Sequence, residues 1–130
     1  MRYLAPSLLA AVPAAACTTG HSTTAHDAQG VLGVYKGDFS GSELTLTLEQ
    51  VDERTAVGHS LHKGQRSDMK GPVQPSEHGL HFELKELGNS PYEGVFTFDL
   101  DTATLRMQGT WAPLTNKELR VVSYTLAKSL

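Results

Sequence analysis

The chain has 130 residues, a formal net charge of -3, 39% hydrophobic residues and 19% charged residues. That is the length of one domain, and it is too apolar for a wholly disordered chain. The acidic balance excludes a general nucleic-acid binder, which needs a dense Lys/Arg surface, and the single cysteine excludes an intramolecular disulfide framework or a cysteine-rich zinc knuckle.

Residues 1–16 read MRYLAPSLLAAVPAAA. Arg2 precedes an apolar stretch that contains Pro6 and Pro13 and is shorter than the roughly 20 apolar residues a membrane-spanning helix takes. This is the pattern of an export signal. Ala14, Ala15 and Ala16 lead directly to Cys17, the only cysteine. In that arrangement residues 1–17 resemble a bacterial lipoprotein signal. The resemblance implies that Cys17 is acylated, with palmitate the typical chain, and becomes the new N-terminus. Each buried acyl CH₂ is worth about 0.8 kcal/mol, so several chains on one cysteine hold a protein firmly at a membrane. The Ala triplet also fits the A-x-A rule of an ordinary secretory signal, whose product would be secreted. The cysteine's place immediately after it favours the lipoprotein. Thr18 stands where many inner-membrane lipoproteins carry Asp, so the resemblance implies a cell-envelope address, at the periplasmic face of the outer membrane where the host has one.

Residues 17–30 follow as a small, polar segment without a large apolar side chain, expected to be a flexible tether. From Val31 onward the apolar period is two. Leu44, Leu46 and Leu48 alternate with polar residues. So do Leu80, Phe82 and Leu84, then Phe96, Phe98 and Leu100, then Leu105, Met107, Gly109 and Trp111, and finally Val122, Tyr124 and Leu126. One apolar face and one polar face mark antiparallel sheet with one side in water. Turn residues separate the runs, among them Gly41-Ser42, Asp52-Glu53-Arg54, Lys63-Gly64-Gln65 and Gly88-Asn89-Ser90-Pro91. Eight strands are predicted at residues 31–39, 43–51, 55–62, 65–73, 79–86, 93–100, 104–112 and 119–128. The fourth is the weakest, because it contains Gly71 and Pro72. Every connection is too short for a parallel crossover. The expected fold is therefore all-β: a single antiparallel up-and-down meander closing into a small barrel over residues 31–130, which removes exposed edges. An open or sandwiched sheet is the alternative.

Within this frame the chain resembles the calycin group of lipocalins and avidins. Gly33-Val34-Tyr35 stands where lipocalins carry G-x-W on the first strand, with Tyr for Trp, and Arg120 stands near the late basic residue that packs over that aromatic. Glu86-Leu87-Gly88 through Gly94-Val95-Phe96 is similar to envelope lipoprotein domains with an EPG-type turn before G-x-F. The resemblance implies a small barrel and assigns no ligand.

Histidine is the first candidate for chemistry. His59 and His62, like His78 and His81, are three residues apart. On a strand that spacing puts the two rings on opposite faces, away from the convergence a metal needs, so no metal site is assigned. Gly58-His59-Ser60-Leu61-His62 begins like a nucleophile elbow but lacks the final Gly and the α/β frame. Acidic pairs such as Asp99 and Asp101 fall at turns, and no phosphate-cradling loop is present. No catalytic residue and no cofactor are assigned, and the chain reads as a non-enzyme. Small barrels either fill with side chains or hold one small ligand. The aromatic set Tyr35, Phe82, Phe96, Trp111 and Tyr124 reads first as core and second as pocket lining. Gly37, Gly58, Gly94 and Gly109 inside strands suit bending or coiling better than ligand approach.

The expected protein is thus a lipid-anchored envelope protein whose barrel binds a partner or an apolar small molecule, through Tyr35, Phe82, Phe96, Trp111 and Tyr124 if it is a ligand. The alternative is a filled barrel whose loops contact an envelope protein or polymer. A cavity of roughly 300 Å³ or more at one barrel end separates the two.

Overall fold

The computed structural model describes residues 30–129, so the expected signal peptide, Cys17 and all of the tether but Gly30 lie outside the described residues. Eight strands follow one another: β1 (Gly33–Phe39), β2 (Ser42–Val51), β3 (Thr55–His62), β4 (Gln65–Ser76), β5 (Gly79–Glu86), β6 (Gly94–Asp101), β7 (Arg106–Pro113) and β8 (Val122–Lys128). Each pairs antiparallel with the next, and β1 pairs with β8 to close the barrel. The seam is short. Tyr35 faces Lys128, Lys36 faces Ala127, and Ser129 N donates to the Val34 carbonyl at 2.7 Å. The expected up-and-down barrel is the observed fold.

The local signals act as backbone chemistry requires. Ser40 and Gly41 both have positive φ, as do Lys63 and Gly64, so β1–β2 and β3–β4 are tight two-residue hairpins of the kind whose twist suits adjoining strands. At the β2–β3 turn Asp52 Oδ1 accepts the N–H groups of Arg54 (2.8 Å) and Thr55 (2.7 Å). The Arg54 N–H, then that of Thr55, holds this carboxyl below its ordinary range. Asp101 does the same at β6–β7, where the N–H groups of Thr104 and then Ala103 lower it.

The side chains expected to point inward are buried with two exceptions, from Tyr35 on β1 to Leu126 on β8. Leu105 and Val122 are half-buried instead. Leu105 sits in the β6–β7 turn at φ 57 rather than on a strand, because its N–H bonds the Asp101 carbonyl and closes the turn one residue before β7. The fourth strand, the weakest in sequence, is the longest at 12 residues. Its ladder to β3 runs through Gly71 and Pro72, while its ladder to β5 skips both, so the missing proline N–H interrupts only one side. Gly37, Gly58, Gly71 and Gly109 face inward, and a Cβ at any of them would collide with a carbonyl oxygen of a neighbouring strand. The absent side chains let the sheet coil tightly enough to close.

One end of the barrel is shut. Val31 is buried just before β1, and Leu32, Val51 and Leu105 pack against the same core. Tyr35 donates its hydroxyl to the Val31 carbonyl at 2.8 Å. Arg120, placed over Tyr35 by the resemblance, lies exposed in the β7–β8 loop at the opposite end. The basic residue beside Tyr35 is Lys128, whose ammonium donates to the Gly30 carbonyl at 2.9 Å. The β8 register decides this, since it brings the last residue of the strand rather than the loop before it to the closed end.

Burial pushes the Tyr35 hydroxyl up to about 12 and raises Tyr124 further. An unfolded tyrosine ionises near 10, so the neutral hydroxyls contribute stability that is whole below pH 10 and is lost as the pH rises through the folded value. For Tyr35 alone the loss between pH 10 and 12 amounts to about 2–3 kcal/mol. Near-ultraviolet circular dichroism is expected to collapse in that window together with a step in phenolate absorbance. A phenolate step completed with the circular dichroism intact would contradict the burial of these hydroxyls.

Candidate functional site

The meander puts the β1–β2, β3–β4, β5–β6 and β7–β8 connections at one end, opposite Val31. There the barrel opens into a cavity of about 980 Å³, whose lining includes Phe39, Ser60, His62, Glu86, Phe96 and Trp111. The cavity follows from what β3 and β4 carry on their inner faces. On the inner faces of β3 and β4 at the mouth stand the small Ser60 and Ser67, paired with each other, whereas β6 and β7 carry Phe96 and Trp111 there. The large side chains of one wall therefore meet little from the other.

The aromatic lining is continuous. Phe39 lies 4.8 Å from the His62 ring, edge to face, and 6.1 to 6.3 Å from Trp111, Tyr124 and Phe96. Phe96 and Tyr124 meet at 5.8 Å. Such tilted and edge-on pairs are the favoured aromatic geometry.

In its wall sits Glu86, the last residue of β5 and 7% exposed. Its Oε1 accepts the Gly94 N–H at 2.8 Å and the Trp111 indole N–H at 2.9 Å. One carboxylate oxygen thereby ties β5, β6 and β7 together at the mouth. Gly94 makes this possible, because a Cβ there would collide with the Ala112 carbonyl and press on the indole ring. Among the described residues, His62 Nε2 and the Tyr124 hydroxyl are buried without a hydrogen-bond partner. Such groups are costly to leave unpaired and are ready to bond a guest. The site combines an apolar, aromatic wall with a carboxylate, an imidazole and serine hydroxyls.

The five aromatics singled out from sequence divide by depth. Phe96 and Trp111 line the cavity. Tyr124 lies just beneath it, with its ring against Phe39 and Phe96. Tyr35 and Phe82 are wholly buried in the core, Phe82 stacked on Phe98 at 4.7 Å. Sequence reasoning weighed His62 only as a metal ligand, Ser60 only in an elbow-like run and Glu86 only within a turn motif, and it placed none of the three in a cavity. Each continues an inward register, Glu86 after Leu80, Phe82 and Leu84, and the other two after Ala56 and Gly58. A strict count of alternate positions finds all three, but polarity masks them in a search for apolar runs.

The histidine pairs are split as their spacing requires. His62 faces the mouth, while the Nδ1 of His59 on the outer wall lies 3.4 Å from Glu49. His81 Nδ1 lies 2.9 Å from Asp99 Oδ1, beside a smaller hollow near the closed end. Among the described residues no three His, Cys, Asp or Glu side chains form a group fitted to a metal ion.

Fold and site together define the class: a small closed antiparallel barrel, plugged at one end and open at the other into an aromatic-walled cavity with a buried carboxylate. The chain matches no protein-family model, and no curated protein is similar to it in sequence.

Proposed function

We propose that this is a lipid-anchored, non-enzymatic envelope protein whose barrel holds a small, largely apolar molecule in its mouth. The observation that carries the ligand reading is the cavity of about 980 Å³ at one barrel end, with the other end plugged. Ligand pockets run about 300–1,000 Å³ and combine apolar walls with placed polar groups. Here Phe39, Leu44, Phe96 and Trp111 form an apolar wall, and polar and charged side chains, Ser60, His62 and Glu86 among them, form the rest of the lining. Phe39, Phe96 and Trp111 would contact the guest's flat or branched apolar part. Glu86, His62 and Ser60 would orient a hydroxyl or amine on it. The anchor reading rests on residues 1–17, where the lone Cys17 directly follows Ala14-Ala15-Ala16.

Native mass spectrometry of the full chain, extracted from the host's membrane fraction, tests both parts. The expected species begins at Cys17, carries acyl chains and retains a non-covalent small mass. Trp111 is the only tryptophan and lines the cavity, so its emission is a second readout. Phenylnaphthylamine is expected to quench Trp111 and to be displaced by the natural guest. An unmodified Cys17 in the soluble fraction would overturn the anchor. No retained mass together with Trp111 emission indifferent to the probe would overturn the ligand reading.

A further inference from the structure

The large hydrophobic side chains that the described residues expose are Leu61, Leu87, Tyr92, Leu114 and Val121, and all five are at the mouth end. Tyr92 is 69% exposed and Val121 63%. Leu87 and Tyr92 belong to the β5–β6 loop, and Leu114 and Val121 to the β7–β8 loop. The two loops are joined, since Leu114 N donates to the Glu93 carbonyl at 3.0 Å. Scattered exposed leucines are ordinary, but their confinement to one end is not.

Charge is divided along the same axis. The mouth loops carry Lys63, Lys117 and Arg120 against Glu93 and Glu118. The turns of the closed end carry Asp52, Glu53 and Glu77 against Arg54. Three long cationic side chains therefore stand among the apolar tips of the mouth loops. Aliphatic tips, an interfacial tyrosine and long cationic side chains around one end are the chemistry that sits at a bilayer surface. Phosphate-bearing anionic headgroups match the cations.

We propose that the mouth end docks on an anionic phospholipid surface, with Leu87, Tyr92, Leu114 and Val121 entering the interface around the cavity opening. This goes beyond the cavity reading, because the rim docks whether or not the cavity holds a guest. It also fixes an orientation that an anchor does not. The chain enters the barrel at the closed end, where Lys128 bonds the Gly30 carbonyl. Fully extended, residues 17–30 span at most about 45 Å. An eight-residue strand is about 26 Å long, so that reach lets the mouth turn back to the bilayer that holds Cys17. A guest that partitions into lipid would then pass between bilayer and cavity without crossing water.

Trp111 provides the test. The full chain, isolated from membranes, is bound to vesicles of phosphatidylcholine with phosphatidylglycerol, the phospholipids carrying brominated acyl chains that quench indole emission on contact. Trp111 emission is expected to fall to about half or less, with a far smaller drop on pure phosphatidylcholine. The double variant Leu87→Asp, Val121→Asp is expected to recover most of the emission, and Lys117→Glu part of it. None of these three residues lines the cavity, so both variants should keep the phenylnaphthylamine response, which also reports that they fold. Absence of quenching on anionic vesicles overturns docking. So does quenching that the variants leave undiminished, because lipid would then enter the cavity without the rim. Equal quenching on neutral and anionic vesicles overturns the assignment to an anionic surface.

Discussion

Gly109→Ala is expected to cost about 3 kcal/mol or more and to leave a large unfolded population at room temperature. Gly109 faces inward on β7, opposite Phe98 of β6 and Tyr124 of β8. A methyl group there would run into the Thr97 carbonyl oxygen and would lie 2.6 Å from both Cα and Cβ of Phe98. Neither strand can yield, because β7 is laddered on both sides and Phe98 is stacked on Phe82. Gly41→Ala is the matching control. Gly41 has φ 93 but open space where a Cβ would stand, so it carries only the cost of a left-handed alanine, about 1 kcal/mol. Urea unfolding followed by circular dichroism ranks the two. A Gly109→Ala protein as stable as Gly41→Ala would show that the strands are not pressed together as described.

Glu86→Ala should be nearly as damaging, and Glu86→Gln close to harmless. Removing the carboxylate leaves the Gly94 N–H and the Trp111 indole N–H without an acceptor at a buried position. Each such group costs about 1–3 kcal/mol, so the alanine variant is expected to lose about 2–6 kcal/mol. Glutamine keeps one carbonyl oxygen in the same place for both donors, and a change within about 1 kcal/mol is expected. The emission of Trp111 shows whether the indole has moved. Equal destabilisation by alanine and glutamine would place the weight on the negative charge rather than on the shared acceptor.

The fold was legible because it is written in local terms. Alternation of Leu, Phe and Tyr with polar residues marks the inner face strand by strand, and Gly41, Gly64 and Asp52 mark where the chain turns. Short connections then leave neighbour-to-neighbour pairing as the only simple topology. The errors fell where a local pattern competes with long-range register. Leu105 continues the spacing of Met107 and Trp111, yet a turn hydrogen bond to Asp101 claims it. Arg120 is near the end of the chain in sequence but at the wrong end of the barrel in space. The site was legible in half. Its aromatic walls, Phe96 and Trp111, belong to apolar runs, whereas Glu86 and His62 are polar residues that end inward faces.

The amino-acid sequence by itself determined the strands, their order and the face each turns to the core, because periodicity and turn chemistry act over a few residues. The tertiary structure alone decided which end is plugged and which is open, that one oxygen of Glu86 serves both Gly94 and Trp111, and that the exposed apolar side chains gather around the mouth. Those features depend on strands nearly a hundred residues apart meeting at a single register, Tyr35 against Lys128, and on small side chains of β3 and β4 facing large ones across the barrel.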